Sequence, residues 1–176
     1  MVDELKDILN KDFDYSNLVN STLDIKENSI LLIDNDSEQR LNELILDAIS
    51  KNVRNIITSK NCTLNNKEII KVENYKKTFN KILLKICKNF QTKNYFGITG
   101  TNGKTTTGYY LNQLIRNKSI FIGTTEEDLF KKITNEEHLT TPKLFNILQL
   151  LSKEEYKDIM DVVIEVSSHA LDQDRL

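Results

Sequence analysis

Apolar and polar positions alternate along the chain in a way that predicts short strands separated by helices. Runs rich in β-branched residues indicate strands, and apolar residues that recur every three to four positions indicate helices with one buried face. The predicted strands cover residues 30–33, 53–58, 68–72, 95–99, 119–123 and 158–166. The predicted helices cover 41–49, 79–86, 104 to about 116, and a segment that starts at 141–142. Strands that alternate with helices are typical of an α/β fold with parallel sheets.

Three local features refine these elements. Asp36 or Ser37 is suited to cap the first helix, because both residue types can accept a hydrogen bond from an N-terminal amide. Pro142 is expected at the first position of the last helix, where its fixed φ and missing N–H are tolerated. The run DIMDVVIEV at 158–166 is nearly continuous in apolar residues, which predicts a strand buried on both faces.

The polar segment QTKN at 91–94 is the predicted linker between two parts of the chain. We therefore expect a small N-terminal α/β domain over residues 1–92 and a second parallel-sheet domain over 93–176. The length of 176 residues is compatible with two small domains.

Composition excludes some classes of partner. The chain is 28% charged and 39% hydrophobic, with a formal net charge of −2, so no overall positive field attracts nucleic acid or anionic lipid. Its apolar runs are too short to span a bilayer, and the N-terminus lacks the pattern of a secretory signal. We expect a cytoplasmic monomer without membrane insertion or nucleic-acid binding. Cys62 and Cys87 have no nearby Cys or His partner, so both are expected to be reduced.

Glycine is rare in this chain but concentrated in one place. Four of the five glycines fall in the twelve residues 97–108, which include the sequence GITGTNGKTTT at 97–107. A glycine loop between a predicted strand and a predicted helix is the arrangement that holds phosphates, because backbone N–H groups and the helix N-terminus surround the anion. Ile98 stands where the usual GxxxxGK[ST] pattern has glycine. A glycine-rich turn without a ligand is the alternative.

Lys104 and the threonines after it favour the phosphate loop over a simple turn. Lys104 is placed to reach the terminal phosphates, which makes it the candidate catalytic residue, and the Thr105 hydroxyl is placed to ligate Mg²⁺. The residues expected to bind ATP are Gly100, Thr101, Asn102, Gly103, Lys104, Thr105 and Thr106.

The loop GITGTNGKTTT resembles the ATP loop of the Mur ligase family. Members of that family use ATP to join an amino acid to a carboxylate during the synthesis of peptidoglycan precursors. Folylpolyglutamate and cyanophycin synthetases have similar loops, so the loop by itself leaves several substrates open. By this resemblance the fold is a small uridine-nucleotide-binding domain followed by the first part of a P-loop ATPase domain.

Two further segments resemble the branch of the family that adds the third peptide residue, the UDP-MurNAc-tripeptide synthetases. These are LTTPK at 139–143 and EVSSHALDQDR at 165–175. The resemblance implies that Glu165 ligates Mg²⁺. It also implies a substrate-binding set made of Thr140, Thr141, Ser167, Gln173 and Arg175. Leu139 departs from the Asn that is usual in the family, and a threonine that caps the following helix is the alternative for this segment.

A weaker likeness lies near the N-terminus. NSTLDIKENSILL at 20–32 resembles the family segment DSRxVxxGxLF, whose serine binds the uridine nucleotide, so Ser21 is the corresponding candidate. The alternative is a serine turn that leads into a strand. His169 follows two serines, but without a GxSxG elbow we expect it to be a packing or supporting residue. His138 is expected to be solvated.

The resemblance implies an amide-bond ligase with ATP and Mg²⁺ as cofactors. Its substrates would be UDP-MurNAc-L-Ala-D-Glu and an amino acid, for which we expect meso-diaminopimelate, with L-lysine as the alternative. The D-Glu carboxylate would become an acyl phosphate that the incoming amine attacks. Because family members continue well beyond residue 176, we expect these residues alone to lack ligase activity. A truncated or degenerate nucleotide-binding module is the alternative function.

Overall fold

The structure is a computed structural model, and it describes residues 15–124 and 141–172. The chain divides into two compact units, Met1–Ile86 and Cys87–Leu176. The strands of the first unit are β1 (Leu18–Val19), β2 (Ile30–Leu32), β3 (Asn55–Ser59) and β4 (Ile69–Val72). Its helices are α1 (Glu38–Ser50) and α2 (Tyr75–Lys88), with short 3₁₀ helices at Tyr15–Asn17 and Thr22–Asp24. The last turn of α2 extends past the division, and the predicted domain boundary at residue 92 stays a prediction.

The first unit is a four-stranded parallel sheet in the order β1-β2-β3-β4. Helix α1 covers one face, because its apolar residues at three- and four-residue spacing pack into a core with the sheet. The buried members of this core are Val19, Leu31, Ile33, Leu41, Ile45, Ala48, Val53, Ile56 and Cys62. The parallel strands predicted over 30–33, 53–58 and 68–72 are confirmed, whereas the two-residue strand β1 was not predicted.

Asparagine and serine supply the turn geometry that the scarce glycines do not. Among the described residues, the non-glycine positions with positive φ are Asn28 at 64° and Asn52 at 56°. Asn52 follows the end of α1, where a left-handed residue commonly terminates a helix. At the other end of α1, Ser37 is the N-cap, and its hydroxyl oxygen accepts a hydrogen bond from the Arg40 N–H at 3.4 Å.

The second unit contains a three-stranded parallel sheet in the order β5-β7-β6. Its strands are β5 (Asn94–Ile98), β6 (Ser119–Ile122) and β7 (Asp161–Glu165). Its helices are α3 (Lys104–Leu114), α4 (Leu144–Leu151) and α5 (Ser168–Asp172), with a 3₁₀ helix at Glu154–Tyr156. All five residues of β7 are buried, as the apolar run at 158–166 predicted for a central parallel strand.

Alternate residues of β6 and β7 face opposite sides of this sheet. On one face, buried side chains from both strands pack against helix α4. This core consists of Ile120, Ile122, Ile147, Leu150, Leu151, Val162, Ile164 and Val166. Phe121 and Val163 are paired in register and belong to the opposite face. Helix α3 contacts β5, β6 and β7.

Three predicted details of the second unit are wrong. Helix α3 ends at Leu114 rather than near residue 116. Helix α4 begins at Leu144 with Lys143 as its N-cap, so Pro142 precedes the helix and Thr141 does not cap it. The physical reason is that the Thr141 hydroxyl donates to the carbonyl of Glu165 at the end of β7 and accepts from the Ser167 N–H, instead of accepting from a helix amide. Asn94 belongs to β5 rather than to a linker, and its side chain donates a hydrogen bond to Asp161 at 2.7 Å.

Two further expectations concern membranes and thiols. No helix within 15–124 and 141–172 is both long and apolar enough to cross a bilayer. Cys62 is buried and Cys87 half-buried, and both are free thiols as predicted. Burial raises the pKa of the Cys87 thiol, which favours the unreactive protonated form.

The buried face of α1 gives a direct stability test. Ile45 is 0% exposed, whereas its neighbour Leu46 is 55% exposed. We expect Ile45→Ala to lower the free energy of unfolding by about 3 kcal/mol, because it removes buried methyl groups and leaves a cavity. The matched variant Leu46→Ala should change it by less than about 0.5 kcal/mol. Urea unfolding followed by circular dichroism measures both values, and equal losses would contradict the assigned face.

Candidate functional site

Three strands of the second sheet end at the same edge, because all of them are parallel. The glycine loop follows β5, Gly123 and Thr124 follow β6, and Glu165 is the last residue of β7. Ile98 pairs with Glu165, and the Val166 N–H donates to the Ile98 carbonyl at 2.8 Å. Open α/β sheets bind ligands at the carboxyl ends of their strands. This edge is therefore the candidate site.

The backbone of the loop requires glycine at two positions. Gly100 has φ of +152° and Gly103 has φ of +79°, a range that other residues rarely adopt. Gly103 is the N-cap of α3, and its carbonyl accepts the first helical hydrogen bond from Thr107 at 2.9 Å. The amides of the first turn therefore point out of the helix end toward the loop, where they can bind an anion.

The Lys104 side chain lies across this loop. Its Nζ atom donates to the Gly100 carbonyl at 2.8 Å. This contact places the ammonium group next to the loop that would surround the phosphates. To bind a phosphate, the ammonium group would have to leave the Gly100 carbonyl. Thr101, Asn102 and Thr106 are exposed in the same segment. The seven predicted ATP-binding residues thus lie together in one strand–loop–helix unit.

Glu165 is the most buried acidic group at this edge, with 3% of the residue exposed. Its Oε2 atom accepts three hydrogen bonds, one from the first turn of α3 and two from the residue Thr124 that follows β6. The donors are the Thr105 hydroxyl at 2.9 Å, the Thr124 hydroxyl at 2.8 Å and the Thr124 N–H at 3.1 Å. These bonds join the end of β7 to the start of α3 and to the end of β6.

The oxygen atoms of Glu165, Thr105 and Thr124 are suitable ligands for a hard divalent cation such as Mg²⁺. Magnesium prefers carboxylate and hydroxyl oxygens and usually keeps several waters or phosphate oxygens. Within the described part of the chain, no Lys or Arg forms an ion pair with Glu165. The described residues also contain no cluster of three or more His, Cys, Asp or Glu, so a cation here would depend on Glu165, Thr105 and the phosphates.

Thr141 connects the segment before α4 to the end of β7. It is 0% exposed, and its hydroxyl donates to the Glu165 carbonyl at 2.8 Å. The same oxygen accepts the Ser167 N–H at 2.9 Å. The Ser167 hydroxyl in turn accepts the Ala170 N–H at 3.1 Å, at the start of α5. These bonds hold the backbone next to Glu165, and the substrate roles of Thr141 and Ser167 stay predictions.

Several predicted residues lie outside the described ranges. These are Thr140, Gln173, Arg175 and His138. His169 is described and is exposed, so the predicted packing role is wrong.

Ser21 belongs to the first unit and lies two residues after the end of β1. It is the N-cap of the 3₁₀ helix Thr22–Asp24, and its hydroxyl oxygen accepts the Leu23 N–H at 3.2 Å. Lys51 fixes this turn on α1, because its Nζ donates to the Thr22 carbonyl at 2.9 Å and to the Asp47 carboxylate at 2.8 Å. The hydrogen bonds from Lys51 and Thr22 lower the pKa of Asp47. The serine turn is confirmed, and nucleotide binding by Ser21 stays a prediction.

Thr124 was not among the predicted site residues. Both its backbone and its side chain contact Glu165, which makes it part of the site. The available signal was its place immediately after a predicted strand, at the carboxyl edge where the glycine loop and Glu165 were also expected. Its residue type alone is too common to have indicated this role.

Comparison with known proteins identifies one family. Residues 98–176 match the family described as the Mur ligase middle domain. The UDP-N-acetylmuramoyl-L-alanyl-D-glutamate–2,6-diaminopimelate ligase of Fusobacterium nucleatum is 30% identical over 175 residues, which is 98% of this chain and 36% of the relative. The ligase of the same name from Bacillus cereus is 41% identical over 83 residues, which is 46% of this chain and 17% of the relative.

The fold also matches a solved structure. The crystal structure of the MurF ligase of Thermotoga maritima in complex with ADP has a TM-score of 0.58 and 20% identity to this chain. The match covers 88% of this chain and 33% of that chain. At this identity the likeness shows the fold alone. The chain spans 36% of the Fusobacterium nucleatum relative and 33% of the MurF ligase, so it covers only about a third of the length of these proteins.

Proposed function

Because the chain belongs to the Mur ligase family, we propose that its second unit binds Mg·ATP for the addition of an amino acid to a muramoyl-peptide carboxylate. The observation that carries this proposal is the contact between the Glu165 carboxylate and the Thr105 hydroxyl at 2.9 Å. It joins the glycine loop to a buried carboxylate, which is the pairing that a phosphate-bound Mg²⁺ requires.

The proposed substrate is UDP-MurNAc-L-Ala-D-Glu, and the added residue is meso-diaminopimelate. Both relatives described above are named as ligases that join UDP-N-acetylmuramoyl-L-alanyl-D-glutamate to 2,6-diaminopimelate. That name supports diaminopimelate over L-lysine. It also disfavours a degenerate module, as well as a folate or cyanophycin ligase. Ser21, Thr140, Thr141, Ser167, Gln173 and Arg175 are the proposed substrate contacts.

Each residue of the site has a distinct part in the proposed reaction. The D-Glu carboxylate attacks the γ-phosphorus of ATP, which forms an acyl phosphate and releases ADP, and the amine then displaces phosphate to form the amide. Lys104 and the amides at the start of α3 bind the phosphate oxygens and stabilise the charge that moves onto the leaving group. When bound, Mg²⁺ neutralises part of that charge. Glu165 and Thr105 would hold it.

ATP and Mg²⁺ are proposed as the cofactors of this chain. The related MurF ligase was crystallised with ADP, which supports an adenine nucleotide as a ligand of this chain. Mg²⁺ is supported by the buried carboxylate of Glu165 and by the Thr105 and Thr124 hydroxyl oxygens beside it. The proposal also includes a cytoplasmic monomer.

The substrate assignment is tested by binding of labelled UDP-MurNAc-L-Ala-D-Glu to the 176-residue chain. We expect the double variant Thr140→Ala/Arg175→Ala to weaken this binding by at least about 100-fold. The reason is that the substrate loses the charge-assisted contact between its anionic group and the Arg175 guanidinium. The matched control is Thr63→Ala/Arg116→Ala, which changes exposed residues outside the predicted sites. Equal affinity of the two double variants would count against the assignment.

A further inference from the structure

The glycines at 108 and 123 have no conformational reason to be glycine. Gly100 and Gly103 have positive φ, whereas Gly108 and Gly123 do not. Gly108 lies inside helix α3, where glycine is less favourable than alanine by about 1 kcal/mol. A glycine at such a position indicates that another group approaches the backbone too closely for a side chain.

One aromatic ring makes that close approach at both glycines. A Cβ atom on Gly108 would overlap Cε2 of Phe121 and would lie 3.1 Å from both Cδ2 and Cζ. A Cβ atom on Gly123 would lie 2.5 Å from Phe121 Cζ and 2.9 Å from Glu165 Oε2. The ring of Phe121 therefore lies between the backbone of α3 and the turn after β6.

This contact lies one helical turn from Lys104 and Thr105, the residues proposed to bind the phosphates and the cation. Gly108 is four residues after Lys104 and three after Thr105, so all three lie on the same side of α3. Phe121 is on the sheet face opposite the α4 core, because its neighbours Ile120 and Ile122 belong to that core. The ring thus lies between α3 and β6, close to the Thr105–Glu165 hydrogen bond.

We propose that Phe121 is a positioning residue that fixes the distance between helix α3 and the Glu165 carboxylate. The ring limits the approach of α3 at Gly108, and at Gly123 it contacts the turn that carries Thr124. A shift of either element by about 1 Å would break hydrogen bonds that measure 2.8 to 3.1 Å. This inference rests on the proposed function only in its consequence for Mg·ATP.

A double-mutant cycle in the 176-residue chain tests the proposal, with Gly108→Ala, Phe121→Leu and the combination of both. One measurement is the Mg²⁺ factor, which is the affinity for a fluorescent ATP analogue in the presence of Mg²⁺ divided by the affinity in its absence. The other is the exchange rate of the Thr124 amide hydrogen, whose acceptor is Glu165. The control is Leu114→Ala on the same helix, a residue that is 79% exposed.

We expect Gly108→Ala to reduce the Mg²⁺ factor about tenfold and to speed Thr124 exchange by a similar ratio, because the added methyl displaces α3 from the ring. Phe121→Leu alone should reduce the factor about threefold, and the double variant should recover to within about threefold of the wild type, because leucine leaves room for the methyl. Leu114→Ala should match the wild type in both measurements.

The proposal is overturned if Gly108→Ala retains both wild-type values, or if the double variant is as impaired as Gly108→Ala. A purely structural role would lower the unfolding temperature and leave the Mg²⁺ factor unchanged. If Gly108→Ala does not fold, the folded variant Phe121→Leu decides. A wild-type Mg²⁺ factor and a wild-type rate of Thr124 exchange in that variant would also overturn the proposal. If the wild type binds no nucleotide, the proposed function fails, whereas Thr124 exchange still decides the role of Phe121.

Discussion

Replacement of Glu165 by Gln should remove most of the effect of Mg²⁺ on ATP binding. The glutamine oxygen can still accept the bonds from Thr105 and Thr124, so the fold is retained, but the negative charge that would hold the cation is gone. We expect the affinity for ATP in Mg²⁺ to fall by about 100-fold, which corresponds to about 3 kcal/mol. In EDTA the variant should bind ATP at least as tightly as the wild type, because it no longer repels the phosphates.

Titration calorimetry with and without Mg²⁺ measures both affinities. The matched control is Glu155→Gln, an exposed carboxylate of the second unit that lies outside the site. It should retain the wild-type difference between the two conditions. A Glu165→Gln variant whose affinity still rises with Mg²⁺ as in the wild type would show that the cation binds elsewhere.

Replacement of Lys104 by Met should have an effect of similar size with a different dependence on Mg²⁺. Methionine keeps much of the side-chain length but lacks the ammonium group that would bind the phosphates. We expect the affinity for ATP to fall by roughly 100-fold in the presence of Mg²⁺. A substantial loss should remain in EDTA, because this contact is with the nucleotide rather than with the cation. The unfolding temperature should stay within about 2 °C, because Lys104 makes one exposed hydrogen bond in the free chain.

Lys118→Met is the control for this variant. Lys118 forms an exposed ion pair with Asp158 at 2.9 Å, so it carries the same charge in the same unit away from the site. Calorimetric titration and thermal unfolding of both variants separate a lost contact from a lost fold. Wild-type affinity in Lys104→Met would mean that the loop does not bind the terminal phosphates.

The strands and the glycine loop could be predicted because their signals are local. A parallel strand buried on both faces needs a continuous apolar run, as at 161–165, and a phosphate loop needs glycine where φ is positive. Strand β1 has only two residues in a polar setting, so no periodicity could indicate it. The predicted start of α4 is wrong because the Thr141 hydroxyl bonds to Glu165 and Ser167. These residues are 24 and 26 positions away in the sequence, so no local pattern indicates the contact.

The site could be predicted in part for the same reason. Lys104, Thr105 and Glu165 lie in motifs whose residue types indicate phosphate and cation binding. Thr124 and Phe121 contribute through the convergence of three loops at one sheet edge, which depends on strand order and register. In the sequence Gly108 is one of a cluster of glycines, and the reason for glycine at this position is the Phe121 ring, whose place depends on the fold.

Joint binding of Mg·ATP by the glycine loop and Glu165 underlies every role proposed for the site. Its most direct test is a calorimetric titration of the wild-type 176-residue chain with ATP, first with excess Mg²⁺ and then with EDTA. We expect one-to-one binding in Mg²⁺ and an affinity at least about tenfold lower in EDTA. Saturable binding that does not depend on Mg²⁺, or no binding in either condition, would contradict the claim.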